Sequence, residues 1–261
     1  GAFRKIGMAP DPDVPGYTPS GLVNADKKAA HEMTAEDVEM LIECFVGDIV
    51  KIQELGFDGV ELHGAHGYLI DNFFWEGTNQ RADSFGGSID KRTAFACEIV
   101  KRARAKVGSD FPMAIRFSQW KQQDFDAKLA YTEEDLKTFL MPLVEAGIDM
   151  FHASNRRYWE PEFEGSNLNL AGWTKKLTGL PTITVGSVGL KSDFIGLYAG
   201  EDAVESQSID DLVKRMEADE FDMVAIGRAL LSDPEWVKKV KAGDFEEIIP
   251  FEKKYAREVY F

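Results

Sequence analysis

Apolar positions along the chain alternate between two periods. In "TAEDVEMLIECFVGDIVKIQELG", Val38, Leu41, Ile42, Phe45, Ile49 and Ile52 fall three or four residues apart, one stripe of an amphipathic helix. Thr34 with Asp37 three residues on supplies a capping-box start, and Gly56 supplies a stop. A short apolar run follows, and the succession recurs. "GFDGVELH" begins at 56, "GIDMFHAS" at 147 and "EFDMVAIG" at 220, each a turn, an apolar residue, Asp and an apolar run after a helix. Thr132 with Asp135 and Ser208 with Asp211 repeat the helix-start signal. "PMAIRFS" from 112 and "PTITVGS" from 181 are further apolar runs led by proline, which the first residue of a strand tolerates.

These patterns predict five strands, near 57–63, 113–118, 148–153, 182–186 and 222–227. Helices are expected at 35–55, 89–107, 133–146, 168–178 and 208–219, with one more after Asp233. Alternating helices and near-continuous apolar strands mean an α/β fold with a parallel sheet covered on both faces, a (β/α) barrel or a doubly wound sheet. Residues 1–33, with Pro10, Pro12, Pro15 and Pro19, read as an extended loop region. No low-complexity segment or composition break divides the rest, so 1–261 reads as a single domain.

The chain's 261 residues are 44% hydrophobic, ample for a large core. Lys plus Arg is 30 and Asp plus Glu is 45, so the formal charge is 30 − 45 = −15. That balance disfavours nucleic acid and anionic membranes as partners. Cys44 and Cys97 both lie in helical apolar patterns and read as small buried hydrophobes. No apolar run is long enough to span a bilayer and no signal peptide opens the chain, so the cytoplasm is the expected location. The start, "GAFRKIG", lacks a Met and reads as processed, tagged or truncated.

Parallel α/β folds carry their chemistry at the carboxyl ends of the strands. Here those ends hold His63 with His66 and Tyr68, then Arg116 and Ser118, His152 and Ser154, Gly186 and Ser187, and Gly227 and Arg228. Small residues on the last two strands let backbone N–H groups approach an anion, and Arg228 can pair with it; tight turns alone are the competing reading. Three readings of His63 and His66 are open. They could begin a metal site, though no third ligand lies nearby and no metal is expected. They could be structural. Or two neutral imidazoles could donate N–H bonds to one substrate oxygen, with Tyr68 as a proton donor. A phenol's ordinary pKa of about 10 suits protonation of a strongly basic carbanion.

"GFDGVELHGAHGYLIDNFFWEGTNQRADSFGGSIDKR" closely resembles the signature region of the old yellow enzyme family, FMN-dependent ene-reductases. "AIRFS", "PTITVGSVG" and "DMVAIGRALLSDPEW" resemble its later strands in order, and the resemblance covers nearly all of 16–242. It implies an eight-stranded (β/α) TIM barrel carrying FMN, with NAD(P)H as reductant. It implies that His63 and His66 bind the substrate's activating oxygen and that Tyr68 protonates the α-carbon. Arg116 would lie beside the flavin N1/O2 edge, and Gly186, Ser187, Gly227 and Arg228 would hold the FMN phosphate. Asn79, Arg81, Asp83, Gly86 and Gly87 match a loop read as structural, with Ser88 capping the next helix and Arg92 pairing within the loop. Trp120, Tyr158 and Trp159 are candidates to line a substrate pocket.

The five strands here correspond to the family's fourth to eighth, so the barrel is expected to be incomplete at its N-terminal side. "GAF" would be the tail of the loop after the third family strand. The implied reaction is reduction of the C=C bond of an α,β-unsaturated carbonyl or nitro compound. Two rivals stand beside it. One is a flavin-free, phosphate-binding isomerase or lyase. The other is a non-catalytic fragment or subunit that needs an N-terminal complementing chain or self-association.

Overall fold

The computed structural model describes residues 16–198, 200 and 202–256. Pro10, Pro12, Pro15 and the "GAF" start lie outside these residues. Two compact units emerge. One runs to His152 and adds Lys176–Leu180; the other comprises Ala153–Lys175 and the residues from Pro181 on.

In the first unit, α1 (Ala35–Glu54) begins with the expected capping box: Asp37 N donates to Thr34 Oγ1 at 3.1 Å and Thr34 N to Asp37 Oδ2 at 2.9 Å. Val38, Ile42, Val46 and Ile49 form its buried face, while Leu41, Phe45 and Ile52 flank it half-buried. Cys44 lies on the outer side and is exposed, against expectation, because the stripe turns past it; Cys97 is buried.

Strand β1 spans Val60–His66, three residues later than the pattern predicts at both ends. Gly56, at φ 85°, turns the chain, and the first apolar residue, Phe57, stays 62% exposed. Helix α2 (Leu69–Phe74) follows at once. The expected 89–107 helix comes in two pieces, Ile89–Arg92 and α3 (Ala94–Val107), with Thr93 between them. Ser88 precedes the first piece in extended geometry without a side-chain capping bond.

Strand β2 runs Met113–Lys121 and α4 is Glu133–Ala146, again with a capping box, from Thr132 and Asp135. Strand β3 is Met150–Ser154, its last two residues belonging to the second unit. Their order is β1-β2-β3. β1 pairs parallel with β2 and sets His63 opposite Arg116, with a bulge between Gly64 and His66. Phenylalanines fill the core: Phe73 stacks on Phe95 at 4.1 Å, and Phe74 meets Phe139 edge-on at 4.9 Å.

Residues 16–33 carry short strands: Tyr17–Thr18 pairs parallel with His31–Glu32, and Leu22–Asn24 pairs antiparallel with Lys27–Lys28. The segment is tied down by the Asn79–Gly87 loop. Arg81 Nη1 donates to the carbonyls of Pro19 (2.9 Å) and Met33 (2.5 Å), and Gln80 N donates to Ser20 Oγ (2.8 Å). Asn79 Nδ2 bonds the Phe73 and Phe85 carbonyls, and Arg92 bonds those of Phe74 and Gly87. These bonds bind loop to scaffold.

In the second unit, β4 (Thr182–Val185) lies between the end of β3 and β5 (Met223–Ala225), and pairs parallel with β5. Helix α5 is Leu170–Thr178, its last three residues belonging to the first unit, and α6 is Asp210–Glu217. The third expected capping box does not form. Ser208 Oγ accepts from Asp210 N, two residues on, so α6 starts after Ile209. A last helix spans Trp236–Ala242. Among the described residues no helix is long and apolar enough to cross a membrane.

Candidate active site

The end of β1 is built to present side chains. Its apolar positions turn inward, with Leu62 4% and Ala65 0% exposed, while Glu61 and His63 face outward from the same side of the strand. The bulge then lets the chain turn, and His66 adopts φ 65°, a left-handed conformation that few non-glycine residues take. The result brings three rings together. His63 lies 5.2 Å from His66 and 5.3 Å from Tyr68, centroid to centroid. Trp120, 8% exposed, stacks on His66 at 4.4 Å and 21°.

Both imidazoles are neutral at ordinary pH. Burial, then the Arg116 charge, then His63 pushes His66 down to about 2. Partial burial and Arg116 also lower His63, although it keeps an open edge. A neutral imidazole can donate one N–H to a ligand oxygen without presenting a net charge. Among the described residues no group of three or more His, Cys, Asp or Glu could hold a metal ion.

The turn between His66 and Tyr68 is held from beneath by groups the sequence reading passed over. Gly67, at φ 76°, donates its N–H to Asp71 Oδ2 at 2.7 Å. Its carbonyl accepts from Asn72 Nδ2 (3.1 Å) and Gln123 Nε2 (2.9 Å). The other Asp71 oxygen accepts from Lys121 Nζ at 2.6 Å, and both side chains are fully buried. Lys121 also donates to the Ser118 carbonyl at 3.0 Å. Ser118 Oγ takes the His66 N–H at 2.9 Å and passes its own hydrogen to the Trp120 carbonyl at 2.7 Å. The only signal in the sequence is a lysine closing a strand that is otherwise buried, with an acid inside the apolar "LIDNFF".

The second unit gathers the other predicted residues. Gly186 (φ 139°) and Ser187 (φ 52°) turn the chain after β4. A Cβ on Gly186 would sit 2.7 Å from the Asn155 carbonyl oxygen, so the position needs glycine twice over. Ser187 Oγ donates to the Arg156 carbonyl (3.0 Å) and accepts from Arg228 Nη2 (3.2 Å). Arg228 also donates to the Ser192 and Asp193 carbonyls. Gly227 is exposed, and open space surrounds the place a Cβ would take. Tyr158, 1% exposed, is enclosed in this unit with its ring edge-on to the half-buried Trp159. Three described non-glycine residues have positive φ, namely His66, Ser187 and Asp219, and two of these are predicted site residues. Such strain concentrates where function fixes the backbone.

A model of the family described as NADH:flavin oxidoreductase / NADH oxidase matches residues 8–247. NADH oxidase from Thermoanaerobacter brockii is 37% identical over 225 residues, which are 83% of this chain and 31% of that protein. Cinnamate reductase from Clostridium sporogenes is 30% identical over 242 residues, 84% of this chain and 33% of that one. The structure of an old yellow enzyme homologue from Zymomonas mobilis matches with a TM-score of 0.68 at 18% identity, over 92% of this chain and 63% of that one. The likeness is one of fold, and it makes this chain part of an old yellow enzyme-type (β/α) barrel. The chain spans about a third of the length of the two relatives named. With the family pattern running through both units, the chain belongs to the NADH:flavin oxidoreductase / NADH oxidase family.

Proposed function

We propose that the chain carries the substrate-activating part of an FMN-dependent enzyme that uses NAD(P)H to reduce the C=C bond of α,β-unsaturated carbonyl or nitro compounds. The observation that carries the reading is the close set of two neutral imidazoles and a phenol on one strand end. The N–H groups of His63 and His66 bind the carbonyl or nitro oxygen and draw electron density from the conjugated bond. Tyr68 holds the proton that the α-carbon receives. Trp120, packed on His66, is the candidate to line the substrate beside them, and Trp159 with the enclosed Tyr158, edge-on to each other, are further candidates.

The residues fit the cofactor on two observations. A buried ring nitrogen, His152 Nε2, has no hydrogen-bond partner among the described residues, so a polar group is called for beside it. Gly227 leaves open space next to Ser187 and Arg228, as an approaching phosphate needs. In this reading Arg116 faces the flavin N1/O2 edge, and Gly186, Ser187, Gly227 and Arg228 hold the phosphate. Flavin supplies the hydride chemistry when bound. The relatives' names point the same way: one is a cinnamate reductase, and an NADH:acrylate oxidoreductase of Vibrio harveyi is 30% identical over 220 residues. Among the described residues β1 ends its sheet, so a further strand would cover that edge, whether from a longer form of the chain, a complementing chain or a second copy.

The test is anaerobic mixing of the FMN-reconstituted protein with NADPH or NADH and then cyclohexenone. The flavin absorbance should bleach with the nicotinamide and recover with the enone. Bleaching without recovery by any enone or nitroalkene overturns the proposal.

A further inference from the structure

The mechanism above leaves one imidazole–carboxylate pair unused. His152, on β3, places Nδ1 2.8 Å from Glu61 Oε2 on β1. The His152 side chain is 9% exposed. Burial pushes the Glu61 carboxyl up, but the His152 hydrogen bond and the Arg116 charge act against it, and the acid stays below its ordinary value. Glu61 is therefore a carboxylate at neutral pH, and the hydrogen of the 2.8 Å contact sits on His152 Nδ1. With the hydrogen on Nδ1, an uncharged ring presents Nε2 as a lone-pair acceptor. Nε2 is buried and has no partner among the described residues.

Its place is set by the sheet. β1 pairs His63 with Arg116, and Asp149 N donates to the Met113 carbonyl at the start of β2. Three residues further along both strands, His152 stands level with Arg116. The charged and titratable groups around it are therefore Glu61, His63 and His66 from β1 with its turn, and Arg116 from β2. Arg116 and the imidazoles offer N–H donors, whereas Nε2 is the one acceptor that a carboxylate across the sheet has fixed in place. An unsatisfied buried acceptor is costly unless a donor fills it.

We propose that His152, oriented by Glu61, is a further cofactor contact: its Nε2 accepts a hydrogen bond from an N–H or O–H group of the bound flavin nucleotide. The inference rests on the flavin reading above.

The chain has four histidines, so long-range 1H–15N correlation spectra of the imidazoles are resolvable, with His152 assigned by its loss in His152→Gln. Without FMN, His152 should show a protonated Nδ1 and a bare Nε2. Adding FMN should move the Nε2 resonance upfield, the direction of a newly accepted bond. In parallel, His152→Phe should weaken FMN binding about 2- to 12-fold, the equivalent of one hydrogen bond. Glu61→Gln, whose amide oxygen can still accept from Nδ1, should stay close to wild type. FMN bound, with its fluorescence quenched, but Nε2 unmoved would overturn this inference alone; so would an Nε2–H tautomer. No binding of FMN at all would overturn the flavin reading and this inference with it.

Discussion

Lys121→Met is the sharpest probe of what holds the site. Both Lys121 and Asp71 are fully buried, and burial draws each toward its neutral form, raising the acid and lowering the ammonium. Deleting the ammonium leaves Asp71 with one hydrogen bond, from Gly67 N, in a dry environment. Breaking such a pair on one side costs roughly 3–5 kcal/mol. The variant carboxyl escapes part of that cost by keeping its proton. A folded-state carboxyl pKa above the unfolded 3.8 means stability that is present at low pH and is lost as pH rises through the folded value. Lys121→Met should thus lose about 3–5 kcal/mol at pH 7.5 and less at pH 5, read by urea unfolding followed by tryptophan fluorescence. Replacing both partners, Lys121→Met with Asp71→Leu, should recover most of the loss, because the second change removes the stranded acid. If Lys121→Met matches wild type at both pH values, water reaches the pair and the clamp is not what fixes Gly67.

Other outcomes follow from the same geometry. Tyr68→Phe should leave flavin reduction by NAD(P)H intact and slow reoxidation by an enone about 10²- to 10⁴-fold in stopped flow, since the change removes only the proposed proton donor. Gly67→Ala should cost more than about 1 kcal/mol in thermal or urea unfolding, because φ is 76° and the new Cβ would meet Gln123 Oε1 at 1.8 Å. His66, held at about 2 against an ordinary 6.5, takes up its proton far more readily when unfolded, so folding stability falls as pH drops below about 6.5. His66→Asn should narrow the gap between melting temperatures at pH 7 and pH 5.

Much of the scaffold was legible because its signals are local. The capping boxes at Thr34 and Thr132 needed residues three apart, and both form. The one at Ser208 fails because a serine can also bond two residues on, and the sequence does not decide between the two. The strand ending at His66 rather than His63 depends on pairing with β2 and a bulge, neither visible within "VELHGAH". The Lys121–Asp71 clamp joins residues 50 apart, and a charged pair carries no periodicity to betray it. Glu61 was passed over because an exposed acid at a strand edge reads as solvation; its meaning appears only with His152 at 2.8 Å.

The backbone of His66 narrows what variation the position can accept. A residue there must tolerate φ near 65° and, for the proposed contact to a substrate oxygen, must also offer an N–H from its side chain, beside a tryptophan face. β-Branched and bulky side chains fail the first condition, and aspartate fails the second. Asparagine meets both, with an amide in place of the imidazole N–H. Position 63, on regular strand, is under no such backbone rule. The two histidines are thus alike in chemistry but unequal in substitution: drift at 66 is confined to a very short alphabet, and drift at 63 is limited by chemistry alone.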